Sequence, residues 1–353
     1  MTHLWLRAEQ RAHERRVGLT PEGAARMIRA GLQVTVEDSD TRCIATEAYA
    51  QAGAEIAAEG SWPDAPEAAY IFGLKELPEA ETPLRHRHIM FGHAYKGQPA
   101  GQRLLARFRA GGGILYDLEY LVDADGRRVA AFGYWAGYAG AAVSLMCWIA
   151  QRRGRLCGAV HDYPSAAHLL AELQSELLDA AGTERPTAIV IGALGRVGTG
   201  AVDLCREMGV PVTGWDMAET AHGGPFPEIL AHDLFLNCIL ARPGTPVFVP
   251  RSALTAPRRL SVIGDIACDP DSDFSPIKVY DRVTTWDTPA LRVADRPVLD
   301  VTAIDNLPSL LPRESSEDFA DQLLPHLHTL TAPDDGVWGR AKATFARHVA
   351  QVA

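Results

Sequence analysis

Lysine is almost missing from this sequence. Of 34 basic residues only Lys75, Lys96, Lys278 and Lys342 are lysines; the rest are arginine. Either cation serves on a surface, so the bias reads as nucleotide composition. An amine can lose its proton near neutrality and a guanidinium cannot, so a surviving lysine points to amine chemistry. Cysteine is sparse and irregularly spaced: six residues with no C-x-x-C pair, a pattern that favours free buried thiols over disulfides and leaves no zinc site to expect. Positive charge is not in excess. The formal net charge of −10 argues against a nucleic-acid surface, while one cationic pocket for a carboxylate stays compatible with it. No apolar run approaches the roughly 20 residues of a membrane span, and Val129–Ala150, rich in Gly and Ala, reads as a tightly packed helix. The chain opens on a strand-like Leu4-Trp5-Leu6 with no apolar signal core, so the cytoplasm is the expected compartment.

What is present is a long, ordinary globular chain. At 353 residues and 47% hydrophobic content, two domains are expected. Short apolar runs alternate with helical stretches from Leu4 onward. Thr20-Pro21 is a helix start with Thr as cap and Pro at the first position. Tyr70–Leu74, His88–Gly92 and Gly113–Tyr116 have strand length, and Asp123–Gly126 is turn chemistry that marks a boundary. Long helices are expected from about Tyr138 to Arg152 and from Ser165 to Ala180, then strands at Thr187–Gly192, Val212–Asp216, Asp233–Leu240 and Ser261–Ile266. This rhythm predicts an α/β protein made of two Rossmann-like, doubly wound parallel-sheet domains with a cleft between them.

The strand ending at Gly192 runs into Gly192-Ala193-Leu194-Gly195-Arg196-Val197-Gly198, with a helical stretch behind it. Glycines there let backbone approach a pyrophosphate, and the helix N-terminus supplies oriented N–H groups. The spacing G-x-x-G-x-x-G is weak by itself, and a glycine-closed turn without nucleotide stays possible. The context is stronger: Asp216 ends the next strand, 18 residues beyond Gly198, where a carboxylate binds the adenosine ribose and disfavours a 2′-phosphate. NAD is expected over NADP. A second group, Lys75-Glu76 with His93, Tyr95 and Lys96, follows two strand-like runs, where ligands bind in parallel sheets. A lysine and a histidine there suit general base and acid chemistry, although a Lys-Glu pair is more often a solvated surface pair. Arg7, Arg11, Arg15, Arg16 and Arg127-Arg128 form an arginine set suited to carboxylates, among many arginines that are plain surface charge. His86 and His88 share a strand face, but no carboxylate or cysteine completes a metal set, and a surface position is expected. No serine sits in a nucleophile elbow.

Several ordered motifs carry a resemblance. Leu6-Arg7-Ala8-Glu9 with Arg16 and Leu19-Thr20-Pro21, then Gly73-Leu74-Lys75-Glu76, Phe91-Gly92-His93-Ala94-Tyr95-Lys96 and Leu115–Glu119 are similar to the NAD-dependent, lysine-forming saccharopine dehydrogenases. So are Gly126–Gly133, the glycine turn, Gly223-Gly224-Pro225-Phe226 and Ile304–Glu314. The likeness runs from about residue 4 to 350, and alanine dehydrogenases and the NAD-binding subunit of transhydrogenase look like more distant relatives. The resemblance implies a substrate-binding domain at 1–128 completed by 310–353, and an NAD-binding domain at 129–309. It implies Lys75 as the base and His93 as the acid–base group of imine hydrolysis, with Glu76 and Glu119 tuning them. Arg16, Arg128, Phe132 and Lys96 would contact substrate. Gly192, Gly195, Arg196, Val197 and Gly198 would hold the pyrophosphate, Asp216 the ribose, and Asp305 the nicotinamide end. The partners are then saccharopine, L-lysine and 2-oxoglutarate, with no nucleic acid, membrane or metal, and a monomer is expected.

The chain departs from the family pattern at Arg11, where lysine is usual, and at Arg15, where a small residue is common and arginine adds positive charge near Arg16. His222 replaces an arginine beside the adenosine site, and Ala267–Asp273 is unusually acidic. These differences bear on substrate choice and NAD affinity. The competing expectations are an alanine dehydrogenase or another opine-type amino-acid dehydrogenase and, from another class, a nucleotide-binding subunit of a membrane transhydrogenase.

Overall fold

The structure, a computed structural model, describes residues 1–270 and 272–352. Asp271, within the acidic stretch, and Ala353 lie outside the described residues. The chain divides into two compact units, one formed by residues 1–131 with the stretch from Pro312 onward, the other by Phe132–Leu311.

The first unit begins β1 (His3–Leu6), α1 (Pro21–Arg29), β2 (Gln33–Glu37), α2 (Thr46–Gln51), β3 (Glu55–Ala57), β4 (Tyr70–Phe72), β5 (Arg87–Met90), α3 (Pro99–Gly111) and β6 (Ile114–Asp117). The expected start of α1 is present: Thr20 Oγ1 accepts the Gly23 N–H at 3.1 Å, with Pro21 at the first position. The strand order is β3-β2-β1-β4-β5-β6, and every pair is parallel. The chain winds away from β1 in one direction and then, from β4, in the other, so the ends of β1 and β4 flank the switch point where doubly wound sheets bind ligands.

His86 and His88 are not on the surface. Each is about 1% exposed, because β5 is an interior strand and both faces of such a sheet are covered. His86 Nε2 pairs with the Ala65 carbonyl at 3.0 Å. His88 packs edge-on to Trp62 and Phe108, with centroids 5.1 and 5.3 Å away. Burial pushes its imidazole well below the usual value, with Arg7 adding to the effect, so it is a neutral core residue.

The second unit comprises α4 (Gly133–Arg152), α5 (Ala166–Ala181), β7 (Ala188–Ile191), α6 (Arg196–Glu207), β8 (Val212–Trp215), α7 (Met217–Thr220), α8 (Pro227–Ala231), β9 (Leu234–Asn237), β10 (Val262–Asp265), β11 (Leu291–Asp295) and β12 (Val298–Thr302). Helix α4 starts five residues before the expected Tyr138 and has no side-chain cap to announce it. The strand order is β11-β12-β10-β9-β7-β8, parallel except for the β11–β12 hairpin. That hairpin has no counterpart in the sequence reading. Along β7, Ala188 and Val190 pack on one core while Ile189 and Ile191 pack on the other. Period-two alternation with both faces apolar is what a covered parallel sheet requires, and each large aliphatic buried this way contributes about 1.5–3 kcal/mol. Helices α4 and α6 touch backbone to backbone: a Cβ on Gly137 would strike the Val197 carbonyl, and one on Gly200 the Tyr134 carbonyl.

The chain ends with α9 (Pro312–Leu327) and α10 (Gly336–Val349) in the first unit, where Trp338 packs edge-on to Tyr116 and Phe345 to Phe108. The Asp123 turn lies inside this unit and closes a small hairpin: Asp123 Oδ1 accepts the N–H groups of Asp125 and Arg127, and Val122 bridges to Arg128. Among the described residues no helix is long and apolar enough to cross a membrane, and no group of three or more His, Cys, Asp or Glu could hold a metal ion. The six cysteines are free.

Candidate functional site

In the first unit the candidate residues sit on turns that leave the carboxyl ends of adjacent strands. The β4 turn carries Lys75 and Glu76. Its backbone is clamped from the end of β1: Glu9 accepts the N–H of Leu74 at 2.6 Å and that of Lys75 at 3.0 Å, while Arg7 donates to the Lys75 carbonyl. The β5 turn runs beside it, the Phe91 N–H reaching the Leu74 carbonyl at 2.9 Å. Lys75 and His93 thus ride on neighbouring turns.

His93 belongs to a charged cluster. Its Nδ1 lies 3.7 Å from Glu119 Oε2, beyond ordinary hydrogen-bond length. Lys96 Nζ donates to Glu119 Oε1 at 2.9 Å, and Arg128 Nη2 is 3.5 Å from the same oxygen. The His93 imidazole, followed by Lys96 and Arg128, holds the Glu119 carboxyl down at about 2, although burial pushes the other way. Glu119 in turn draws the Lys96 amine above its ordinary value, chiefly through their hydrogen bond. Glu76 is placed differently: its Oε1 is 3.5 Å from Arg11 Nη1, and Glu76, Arg11 and His93 line one cavity of about 810 Å³ together with Arg103 and Arg107.

Arg16 is only 3% exposed. Glu14 grips it at both ends, Nε at 2.8 Å and Nη2 at 2.6 Å. Burial raises the Glu14 carboxyl, but Arg16 and then Lys75 outweigh it and hold the group below its usual range. Glu14 therefore lies in the fields of both Arg16 and Lys75. Arg15 lies on the surface with its Nε on the Thr41 carbonyl.

In the second unit the glycine turn forms a cradle. Gly192 has φ +89°, open to glycine at little cost, and a Cβ there would lie 2.6 Å from Ile239 Cγ2. A Cβ on Gly198 would strike the Gly192 carbonyl. Gly195 caps α6, and Arg196 and Val197 form its first turn, leaving N–H groups for an anion. The carboxylate of Asp216 faces this turn: Oδ2 accepts the Leu194 N–H at 3.2 Å, and Oδ1 accepts the Met217 N–H at 2.9 Å. Beside them lies a cavity of about 480 Å³ whose walls include Ala193, Gly214, Trp215, Asp216 and Glu219. The turn's steric demands and the adjoining cavity, where Asp216 and Glu219 face Arg206, fit a dinucleotide. Phe132 precedes α4. Asp305 is an exposed loop residue after β12, and its charge adds to the burial that raises the Cys268 thiol. His222 packs against Phe226 at 4.9 Å between ring centroids.

Sequence reasoning missed Glu14, saw in Glu9 and Asp117 only motif members, and placed Arg7 only within a set of arginines suited to carboxylates. Glu14 and Asp117 are both buried, and an acid bound for the interior needs a partner; Glu14, two residues before Arg16, carried that signal.

Residues 5–139 match the family described as alanine dehydrogenase/PNT, N-terminal domain. A solved L-alanine dehydrogenase superposes with a TM-score of 0.71 at 19% identity, covering 98% of this chain and 94% of that one, a likeness of fold. Far greater likeness is found among curated lysine-forming, NAD(+) saccharopine dehydrogenases. That of Neurospora crassa is 46% identical over 99% of this chain and 97% of its own length, and that of Yarrowia lipolytica 45% identical over 99% and 98%. With identity of this order sustained from end to end, the chain belongs to the lysine-forming saccharopine dehydrogenase family.

Proposed function

We propose that this chain catalyses the reversible, NAD-dependent oxidative cleavage of saccharopine to L-lysine and 2-oxoglutarate. In this reading residues 1–131 with the stretch from Pro312 bind substrate, and residues 132–311 bind the dinucleotide. The observation that supports it best is the Lys75 turn beside the His93 turn, at the carboxyl ends of adjacent parallel strands, with Glu119 gathering His93, Lys96 and Arg128.

Bound NAD supplies the hydride acceptor for the carbon next to the secondary amine. Lys75 takes the amine proton as that C–N bond becomes an imine. His93 then moves protons while water adds to the imine and the carbinolamine collapses to an amine and a ketone. Glu119 and Glu76 tune these groups by their charge. Arg128, Lys96 and Arg16 hold substrate carboxylates, Arg16 from the fixed bed that Glu14 provides, and Phe132 lines the pocket. Gly192, Gly195, Arg196, Val197 and Gly198 cradle the pyrophosphate with backbone N–H groups, Asp216 takes the adenosine ribose, and Asp305 lies toward the nicotinamide. We place the enzyme in the cytoplasm as a monomer.

Initial rates of NADH oxidation test the reading in membrane-free protein. Turnover with L-lysine and 2-oxoglutarate, and none with pyruvate and ammonia, is expected. Turnover with pyruvate and ammonia alone would instead make the chain an alanine dehydrogenase, and turnover with another amine and 2-oxoglutarate a different opine-type enzyme.

A further inference from the structure

Asp117, the last residue of β6, is fully buried at 0% exposure. Among the described residues no cation is in hydrogen-bonded contact with it. Its Oδ1 accepts the Glu119 N–H at 2.9 Å. Its Oδ2 completes no full hydrogen bond and faces Gly92, whose N–H stabilises the carboxylate from the β5 turn. A Cβ on Gly92 would begin 3.2 Å from this oxygen and 2.7 Å from Leu115 Cδ2, so the approach depends on glycine. One carboxylate thus reaches the backbone of both turns that build the His93 cluster.

The residue after Gly92 needs such an anchor. His93 has φ +47°, a left-handed conformation that strains a non-glycine residue and persists only where its surroundings impose it. The Lys75 turn shows the same construction, with Glu9 accepting two successive N–H groups from below.

We infer that Asp117 is a positioning residue: its carboxylate holds the strained His93 turn and the Glu119 turn in one arrangement, fixing the geometry of the acid–base group. The inference rests on the proposed role of His93. Burial pushes the Asp117 carboxyl up to about 6, the Glu119 and Gly92 N–H groups opposing and the Glu119 charge adding. The other titratable groups that feel it are His93, Tyr95 and Tyr120.

The test is the pH titration of the Gly92 and Glu119 amide resonances in isotope-labelled wild-type protein. Both amides move with one shared midpoint near pH 6, and Asp117→Asn, which keeps the shape and loses the charge, flattens both. The same variant loses about tenfold or more in kcat for L-lysine, 2-oxoglutarate and NADH, with the KM for NADH little changed. Amides that do not titrate in the wild type, or titrate apart, overturn the inference, as does wild-type kcat in the variant. If Asp117→Asn fails to fold, the wild-type titration decides alone. An inactive wild type would remove the His93 reading while the amide result still shows whether Asp117 joins the two turns.

Discussion

Glu119 Oε1 is shared by two cations, Lys96 Nζ at 2.9 Å and Arg128 Nη2 at 3.5 Å. That leaves Oε2 for His93. Glu119 is thus a common counter-ion, and its carboxyl stays ionised at any working pH because the group sits at about 2. A folded-state value below the ordinary 4.5 means that its contribution to stability is full above that pH and is lost as pH falls toward 2. Glu119→Gln should therefore be less stable than wild type at pH 7, and the gap should narrow as urea midpoints are measured from pH 4.5 down to pH 3. An unchanging gap across that window would mean that these pairs contribute nothing to the fold.

Lys75→Met removes the proposed base without disturbing its clamp, because Glu9 and Arg7 hold the turn by backbone groups. We expect kcat to fall by about 10²–10⁴ and NADH affinity, followed by fluorescence titration, to stay within a factor of about two. Near-wild-type turnover would assign the base elsewhere.

The sequence disclosed most of the fold and about half of the site's logic. Strands with strong alternation and helices with capped starts were legible: Thr20-Pro21 opens α1, and Gly192 ends β7. What stayed hidden was decided by tertiary packing. His86 and His88 read as surface residues because a histidine carries no mark of burial; only the parallel neighbours of β5 put them in the core. The start of α4 lacked a cap, and β11 and β12 are only five residues each, with Arg296-Pro297 between them. The charged residues themselves were legible from the motifs, but their pairing was not. That Glu76 is matched with Arg11 depends on turn geometry that no spacing encodes.

The glycine turn separates a folding role from a binding role. An alanine at Gly198 collides with the Gly192 carbonyl and must deform the turn, whereas an alanine at Gly195 meets nothing closer than that same oxygen at 3.4 Å. Gly198→Ala should lower the melting temperature and weaken NADH binding together. Gly195→Ala should keep the melting temperature and still weaken NADH binding by about tenfold, its methyl occupying space beside the α6 N-terminus. Unimpaired binding in Gly195→Ala would move the pyrophosphate away from this helix.

Asp216→Ala should relax the choice of dinucleotide, since a carboxylate that bonds ribose hydroxyls repels a 2′-phosphate. Glu219 lies in the same cavity and its Oε2 accepts the Asp216 N–H at 2.7 Å, so one negative charge remains after the substitution. The kcat/KM preference for NADH over NADPH is expected to fall by about tenfold and not to invert. An unchanged preference would show that the ribose is read by another residue.

Asp117 should trade stability for activity. Its carboxyl is raised from 3.8 to about 6, so the folded state binds this proton more tightly than the unfolded chain does. The favourable contribution is complete below pH 3.8 and is lost as pH rises through 6; above that the ionised group costs the fold up to about 3 kcal/mol. Asparagine removes the charge but turns an N–H₂ toward one of two backbone donors, which returns part of the gain. Asp117→Asn is therefore expected to be more stable than wild type at pH 8 by about 1–2 kcal/mol, in urea midpoints that converge as pH falls toward 4, while its turnover drops. A variant less stable than wild type at pH 8 would show that the Glu119 hydrogen bond and the approach of Gly92 outweigh the burial of the charge.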